Sequence, residues 1–315
     1  MIDILTVTLN PAIDIATSVD QVIAGPKLRC APPRIDPGGG GVNAARAIKK
    51  LGGTSSALVA VGGETGDQLL TLLKAEQVDT LPVRVSARTR QNFAVTDNAT
   101  DAQYRFGLPG QPLSQSDAAH VLDGIADATP KNGFVVLSGS IAPGLPVDFP
   151  STIQNRIADR TDRLVVDTSG PALLHLLAHP AAPVYLLRID QNEARGAAGH
   201  SLKTVQSSMD FAASLVHRGV AKIIVTGRGN VGSIMVTKDQ CVFCQAPKVP
   251  VVSKIGAGDA LVGALTLSLS RGDPLEQALR WGVASASATV KTKGTALCDL
   301  EDVERLLPLC VTRQM

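Results

Sequence analysis

Residues 55–63 read SSALVAVGG, a short apolar run closed by two glycines, and residues 66–76 follow it with apolar positions at helical spacing. The run reads as a buried strand and the next stretch as a helix. The same pairing recurs along the chain. DILTVTLN (3–10), GFVVLSG (133–139), DRLVVDTSG (162–170), APVYLLR (182–188) and AKIIVTG (221–227) are further buried strands. Helical patterns cover 41–52, 204–217 and 257–270. This alternation predicts an α/β fold with a mostly parallel sheet flanked by helices on both faces. Ligands of such sheets bind at the carboxyl ends of the strands, where several of these runs end in Gly, Ser, Thr or Asp.

Two segments break the rhythm. Residues 12–36 have no strong helical period and contain three prolines. Residues 88–108 read as two strands around a polar turn at Asp97–Asp101. Together they predict a small β layer projecting from the main sheet, within one domain of 1–315. Such a layer serves as a lid, a dimer surface or a plain solvent-facing excursion.

The 315 residues are 44% apolar but only 3% aromatic, so the core is expected to be built from Ala, Val, Leu and Ile. A net charge of +2 argues for neither nucleic acid nor a membrane surface. An acidic substrate must then be met by local positive charge. The start, MIDILTVTLN, has no basic region and only a short apolar run, unlike a signal peptide. No stretch has the roughly 18–20 apolar residues of a membrane span. Five scattered cysteines, with Cys241-x-x-Cys244 unsupported by a second pair, suit two thiols in or beside a strand better than a zinc site. The expectation is a soluble, reduced, cytoplasmic protein.

Four motifs carry candidate chemistry. In IGAGDA (255–260), the small residues Gly256, Ala257 and Gly258 allow backbone N–H groups to approach a ligand. If a helix starts there, its free N–H groups and positive dipole end form an anion hole. Asp259 in the first turn would take a proton from an attacking hydroxyl. An acid at a helix start is also favoured by the dipole alone, and the motif by itself leaves both readings open. DPGGGGVNAARAIKKLGG (36–53) runs four glycines into an Ala-rich helix with Asn43 in its first turn. Glycines in series permit backbone contact with a polar ligand. The spacing also fits the dinucleotide fingerprint G-x-G-x-x-A, which we set aside because CAPPRIDP is a poor strand for its prolines. GRGNVGS (227–233) has the frame of a phosphate loop without its Lys, and reads as a glycine turn that can border a nucleotide. RIDQNEA (188–194) places Asp190 and Glu193 on one helical face, either a solvated helix start or a holder of hydrated Mg²⁺. Lys27, Arg29, Arg90 and Arg105 gather in the two excursions, where Arg in particular suits phosphate. No H-E-x-x-H or G-x-S-x-G motif occurs.

With TLNPAID (8–14) and SGSIAPG (138–144), these motifs make the chain resemble the ribokinase/PfkB family of sugar kinases over essentially its whole length. GPKLRCAPP, DPGGGGVNAARAI, RQNFAV, QYRFGLPG and KGTALC carry a closer resemblance to the minor-type bacterial 6-phosphofructokinases. The resemblance implies a ribokinase-like fold with a β lid, often dimerised through that lid. It implies transfer of the ATP γ-phosphoryl to a sugar hydroxyl, here the C1 hydroxyl of fructose 6-phosphate. Asp259 matches the base, and Gly256, Ala257 and Gly258 the anion hole. Asp14, Gly38, Gly39, Asn43 and Ser140 match the sugar side, Arg90 a substrate-phosphate ligand, and Lys27 and Arg29 the lid segment. Arg188, Asp190, Gly227, Gly229, Gly232, Val283 and Ser287 match the nucleotide side, with Glu193 meeting Mg²⁺ through water. ATP and Mg²⁺ are the implied cofactors, with room for a monovalent cation, and a homodimer is the implied assembly.

Four departures from the family pattern lie on the nucleotide and metal side. They are Arg188-Ile189 in place of Lys-Pro, Asp190 in place of Asn, Gly227 beside Thr226, and Lys254 before the glycines. They leave the sugar side intact, where the nearest rivals are a kinase for tagatose 6-phosphate or for fructose 1-phosphate, and they motivate a rival of another class, a non-catalytic sensor of sugar phosphate or nucleotide.

Overall fold

The computed structural model describes residues 3–315. In chain order, β1 (Ile4–Thr8), β2 (Ala12–Val19) and β3 (Arg34–Gly38) precede α1 (Gly40–Lys50). Then come β4 (Ser56–Val61), α2 (Gly63–Ala75), β5 (Asp79–Arg84), β6 (Arg90–Asp97) and β7 (Gln103–Gly107). α3 (Gln115–Ala128), β8 (Phe134–Ser138), α4 (Phe149–Ile157), β9 (Leu164–Asp167), α5 (Gly170–Ala178) and β10 (Val184–Ile189) follow. The last third holds α6 (Gln191–Ala198), α7 (Val205–His217), β11 (Ala221–Gly227), β12 (Gly232–Val236) and β13 (Cys241–Gln245). It closes with α8 (Ala257–Ser270), α9 (Leu275–Thr289), α10 (Leu300–Leu306) and β14 (Val311–Gln314).

Ten strands form the main sheet in the order β14-β13-β12-β11-β10-β9-β8-β1-β4-β5. From β5 to β11 every neighbouring pair is parallel, and β12, β13 and β14 extend the edge antiparallel. Strands β1, β8 and β9 are buried throughout, as a parallel sheet covered on both faces requires. The chain leaves β1 toward β4 and β5, then returns on the other side to β8. The order therefore reverses between β1 and β8, and their carboxyl ends flank a crevice of the kind in which α/β sheets bind ligands.

Strands β3, β2, β6 and β7 make a separate small sheet. It is mixed: β2 runs parallel to β6, with β3 and β7 antiparallel on the outside. Residues Arg34–Gly38 form a strand despite Pro37, which corrects our reading of CAPPRIDP. The physical reason is position, because β3 is an edge strand, where a missing N–H costs no ladder bond. The glycines thus do follow a strand, but one of the small sheet rather than of a parallel β-α-β unit. Helix α2 also begins three residues earlier than its apolar period, at Gly63.

The start of α1 drives into the crevice. A Cβ at Gly40 would strike Ser138 and lie 2.5 Å from the Gly139 nitrogen, and one at Gly41 would lie 2.5 Å from the Val7 carbonyl oxygen. Both glycines therefore serve close packing of helix on sheet. Helix α8 in turn lies on α1, where a Cβ at Gly263 would sit 2.7 Å from the carbonyl oxygen of Ala44. An exposed helical Gly→Ala change stabilises by roughly 0.5–1 kcal/mol, but overpacking against rigid backbone costs about 1–3 kcal/mol. We therefore expect Gly263→Ala to be net destabilising. Urea unfolding would check it, and a midpoint at or above that of the parent would show that α8 can lift off α1 freely.

Candidate active site

Two cavities are lined by residues at the start of α8. Ile255 lines a smaller one of about 420 Å³, and Ala257 and Gly258 line a larger one of about 970 Å³. Gly256 caps the helix with φ of 75°, a conformation that glycine adopts without strain. The N–H groups of the first turn are free of intrahelical partners, as at any helix start. Asp259 sits in that turn, half-buried. Its Oδ2 accepts a 2.8 Å hydrogen bond from Nδ2 of Asn43, in the first turn of α1. Burial pushes the Asp259 carboxyl up to about 7, and the Asp167 carboxylate adds to the rise. The Asn43 amide and Arg188 act against it, and Asp14 adds a smaller upward push. A carboxylate that titrates near neutrality, beside an anion-binding helix start, suits a general base.

Arg188 ends β10 and donates from Nη1 to Oδ1 of Asp167 at 3.0 Å. Asp167 also accepts from Ser138 at 3.1 Å. The Arg188 guanidinium lies against the first turn of α8, so close that a Cβ on Gly258 would be 2.9 Å from Nη2. Its Nε is covered and makes no hydrogen bond. A fixed positive charge therefore stands beside the helix start. Asp190 caps α6, accepting from the backbone N–H of Asn192 and Glu193, while Glu193 accepts from the Asp190 N–H at 2.7 Å. The two acids form a capping box. Asp190 lines the larger cavity, along with Arg188, Lys254, Gly227, Gly229, Gly232, Val283 and Ser287, but Glu193 does not. Burial raises the Glu193 carboxyl, against the pull of the Asp190 N–H. Among the described residues, no group of three or more His, Cys, Asp or Glu is placed to hold a metal ion.

The smaller cavity lies between the small sheet and the loop before α8. Asp14, Arg90, Asn92, Arg105 and Thr295 line it. Asp14 on β2 accepts from Asn92 on β6 at 2.8 Å, and burial raises its carboxyl against the pull of that amide. Gly38 leaves the room that the Asp14 carboxylate fills, and Gly39, at φ of 114°, turns the chain over Thr8 and Pro11. The side-chain space of the glycine run is thus taken up by protein, a role that its pattern did not distinguish from ligand contact. Arg90 is braced by the carbonyls of Asn10 and Leu108 and by Oδ1 of Asn92, at 2.8–3.2 Å. Ser140 accepts from Asn10 at 3.1 Å across the crevice. Lys27 and Arg29 stand apart, exposed on the loop after β2 and lining neither cavity.

Sequence reasoning missed Asn92, Asp167 and Arg46. Arg46 lies three residues after Asn43 on the same helical face, a spacing that was visible. Asp167 ends a buried strand, also a visible signal.

The model of the pfkB family carbohydrate kinases matches residues 7–302. ATP-dependent 6-phosphofructokinase isozyme 2 of Mycobacterium tuberculosis is 39% identical over 306 residues, covering 97% of this chain and 89% of that protein. The 1-phosphofructokinase of Bacillus subtilis is 32% identical over 305 residues, covering 97% of each. The crystal structure of phosphofructokinase-2 from Escherichia coli in complex with fructose-6-phosphate superposes with a TM-score of 0.91 at 34% identity, over 98% of this chain and 99% of that one. The chain belongs to the pfkB family of carbohydrate kinases. Within that class it is a sugar-phosphate kinase. No helix among the described residues is long and apolar enough to cross a membrane.

The raised Asp259 carboxyl has a cost for folding. Below the unfolded value near 3.8 both states are protonated and the group contributes nothing. Between there and about 7 the unfolded chain ionises while the folded one holds its proton, so stability falls as pH rises. Asp259→Asn is therefore expected to raise the Tm at pH 8 by roughly 2–5 °C, with the gain fading toward pH 4. A gain equal at both pH values would contradict this electrostatic origin.

Proposed function

We propose that the protein transfers the γ-phosphoryl group of ATP to the C1 hydroxyl of fructose 6-phosphate, with Asp259 as general base. The observation that carries this reading is the placing of the Asn43–Asp259 pair at the α8 start, whose residues Ile255, Ala257 and Gly258 line two cavities of different character. In the smaller cavity, Arg90 and Arg105 supply the positive charge for the phosphate of the substrate. Asp14 and Asn92 offer oxygens and an amide to sugar hydroxyls. Gly38, Gly39, Asn43 and Ser140 complete that side, and Lys27 and Arg29, which line neither cavity, would serve only on closure of the loop that carries them. In the larger cavity, Arg188, Asp190, Gly227, Gly229, Gly232, Val283 and Ser287 surround the nucleotide.

Asp259 accepts the proton of the attacking hydroxyl. The α8 start, with Gly256, Ala257 and Gly258, stabilises charge on the group in transit, because phosphoryl transfer is mostly positioning and electrostatics. Glu193, outside the lining of the larger cavity, would hold Mg²⁺ only through water. When bound, it neutralises phosphate charge. The reading leaves room for a monovalent cation.

The small sheet exposes Ile35, Phe93, Tyr104 and Phe106, the last 55% accessible. That apolar surface supports a homodimer through the lid. Phe106→Asp should then sediment as a monomer, and an unchanged dimer would move the interface elsewhere.

The function itself is tested by ADP release with Mg-ATP and fructose 6-phosphate, tagatose 6-phosphate, fructose 1-phosphate, fructose and ribose. We expect a clear preference for fructose 6-phosphate, and in Arg90→Ala a KM for that sugar raised on the order of 10–100-fold, with the KM for ATP little changed. Preference for another sugar phosphate would reassign the acceptor. Tight binding of one sugar without turnover would replace the kinase reading by a sensor.

A further inference from the structure

Arg46 is buried to 1% side-chain exposure, yet no step of the proposed reaction uses its charge. A buried guanidinium needs its donors satisfied. Nε and Nη2 each reach an oxygen of Glu76 at 2.7 Å. Nη1 donates to the Pro37 carbonyl and to Oδ1 of Asn43, both at 3.1 Å. Asp36, bonded by Arg34 and Thr295, stands 3.9 Å from Nη2. Beyond Asn43 lies Asp259, which accepts from Nδ2.

A side-chain amide can be turned either way round. One way offers an oxygen to its neighbour, the other an N–H. A guanidinium only donates. It therefore claims the amide oxygen and leaves the N–H for Asp259. We infer that Arg46, held in place by Glu76, is a positioning residue that locks the Asn43 amide with its N–H toward Asp259 and so keeps the base an ionised acceptor. The inference rests on the reading of Asp259 as base. Glu76, at the C-terminal end of α2 and 31% exposed, is the outer anchor of the chain.

Without the Arg46 charge the Asn43 amide is free to turn. Its oxygen then faces Asp259 and favours the protonated acid. The other charged groups that bear on Asp259 are Asp167 on β9, Arg188 at the end of β10 and Asp14 on β2. The base consequently takes up its proton at higher pH. Arg46 also bears directly on Asp14, whose carboxyl it draws down, so an effect through Asp14 must be told apart.

The experiment follows the single-turnover rate of phosphoryl transfer from ATP to fructose 6-phosphate against pH, for the parent, Arg46→Met, Glu76→Gln and Asp259→Asn. The acidic limb is expected to rise by on the order of 1 pH unit in Arg46→Met and by less in Glu76→Gln. Rates above that limb should recover toward the parent. An unmoved limb in both variants, with Asp259→Asn inactive, overturns the positioning role and leaves the base in place. Near-parental turnover in Asp259→Asn removes the base itself. A shift seen in the KM for the sugar but not in the single-turnover rate assigns the influence to Asp14 and also overturns the inference. If Arg46→Met fails to fold, Glu76→Gln decides by itself, because it keeps the shape of the anchor while removing its charge and one of its two hydrogen bonds to Arg46.

Discussion

Helix α8 lies backbone to backbone on α1 at Gly263 and Ala44, and the Asn43–Asp259 pair depends on that contact. Gly263 lets one backbone rest against Ala44 of the other. Each helix starts at the carboxyl edge of the sheet. Bringing the two so close sets their first turns side by side, which is what allows Asn43 to reach Asp259 at 2.8 Å. A bulkier seam would separate the two starts by more than a hydrogen bond can span. The glycines at the head of α1 apply the same logic one layer down, seating that helix on the ends of β1 and β8.

Two of the departures from the family pattern, Asp190 and Arg188, have clear physical roles where they stand. Asp190 caps α6 through its carboxylate, and Asp and Asn are about equally good at a helix N-cap. Arg188 supplies a cation beside the α8 start, and Asp167 fixes its direction. A planar guanidinium can hold Asp167 with one nitrogen and still present others to an anion, which a single ammonium does less well. The side that differs most from the family pattern is therefore still built for negative charge.

Much of this was legible in the sequence. The strands were visible because parallel strands buried on both faces are unbroken apolar runs. Helices α7 and α8 kept nearly the bounds their periods suggested, because an apolar face of helical spacing is a local signal. Strand β3 was hidden, since proline counts against a strand until it is known to lie on an edge. The site was half legible. Asp259, Asn43 and Arg90 stood out by motif, but the bonds between them did not, because the partners are far apart along the chain. Asp259 lies 216 residues from the amide that orients it. Lys27 and Arg29 illustrate the converse: their charge was plain in the sequence, while their absence from the lining of both cavities was not.

That separation bears on how the protein comes into being. The Asp36–Thr295 bond spans 259 residues, and β1 takes its place between β4 and β8 only once both are made. At about 5–20 residues per second, a ribosome that has finished α1 needs on the order of 10–40 s more to deliver α8. Throughout that interval the glycine-rich face of α1 has no helix to lie against, and Arg46 and Asn43 wait without the acid they serve. The nascent chain therefore lacks the acid that Asn43 meets until about four-fifths of it has been made, and this long wait is when it most needs protection from association with other chains.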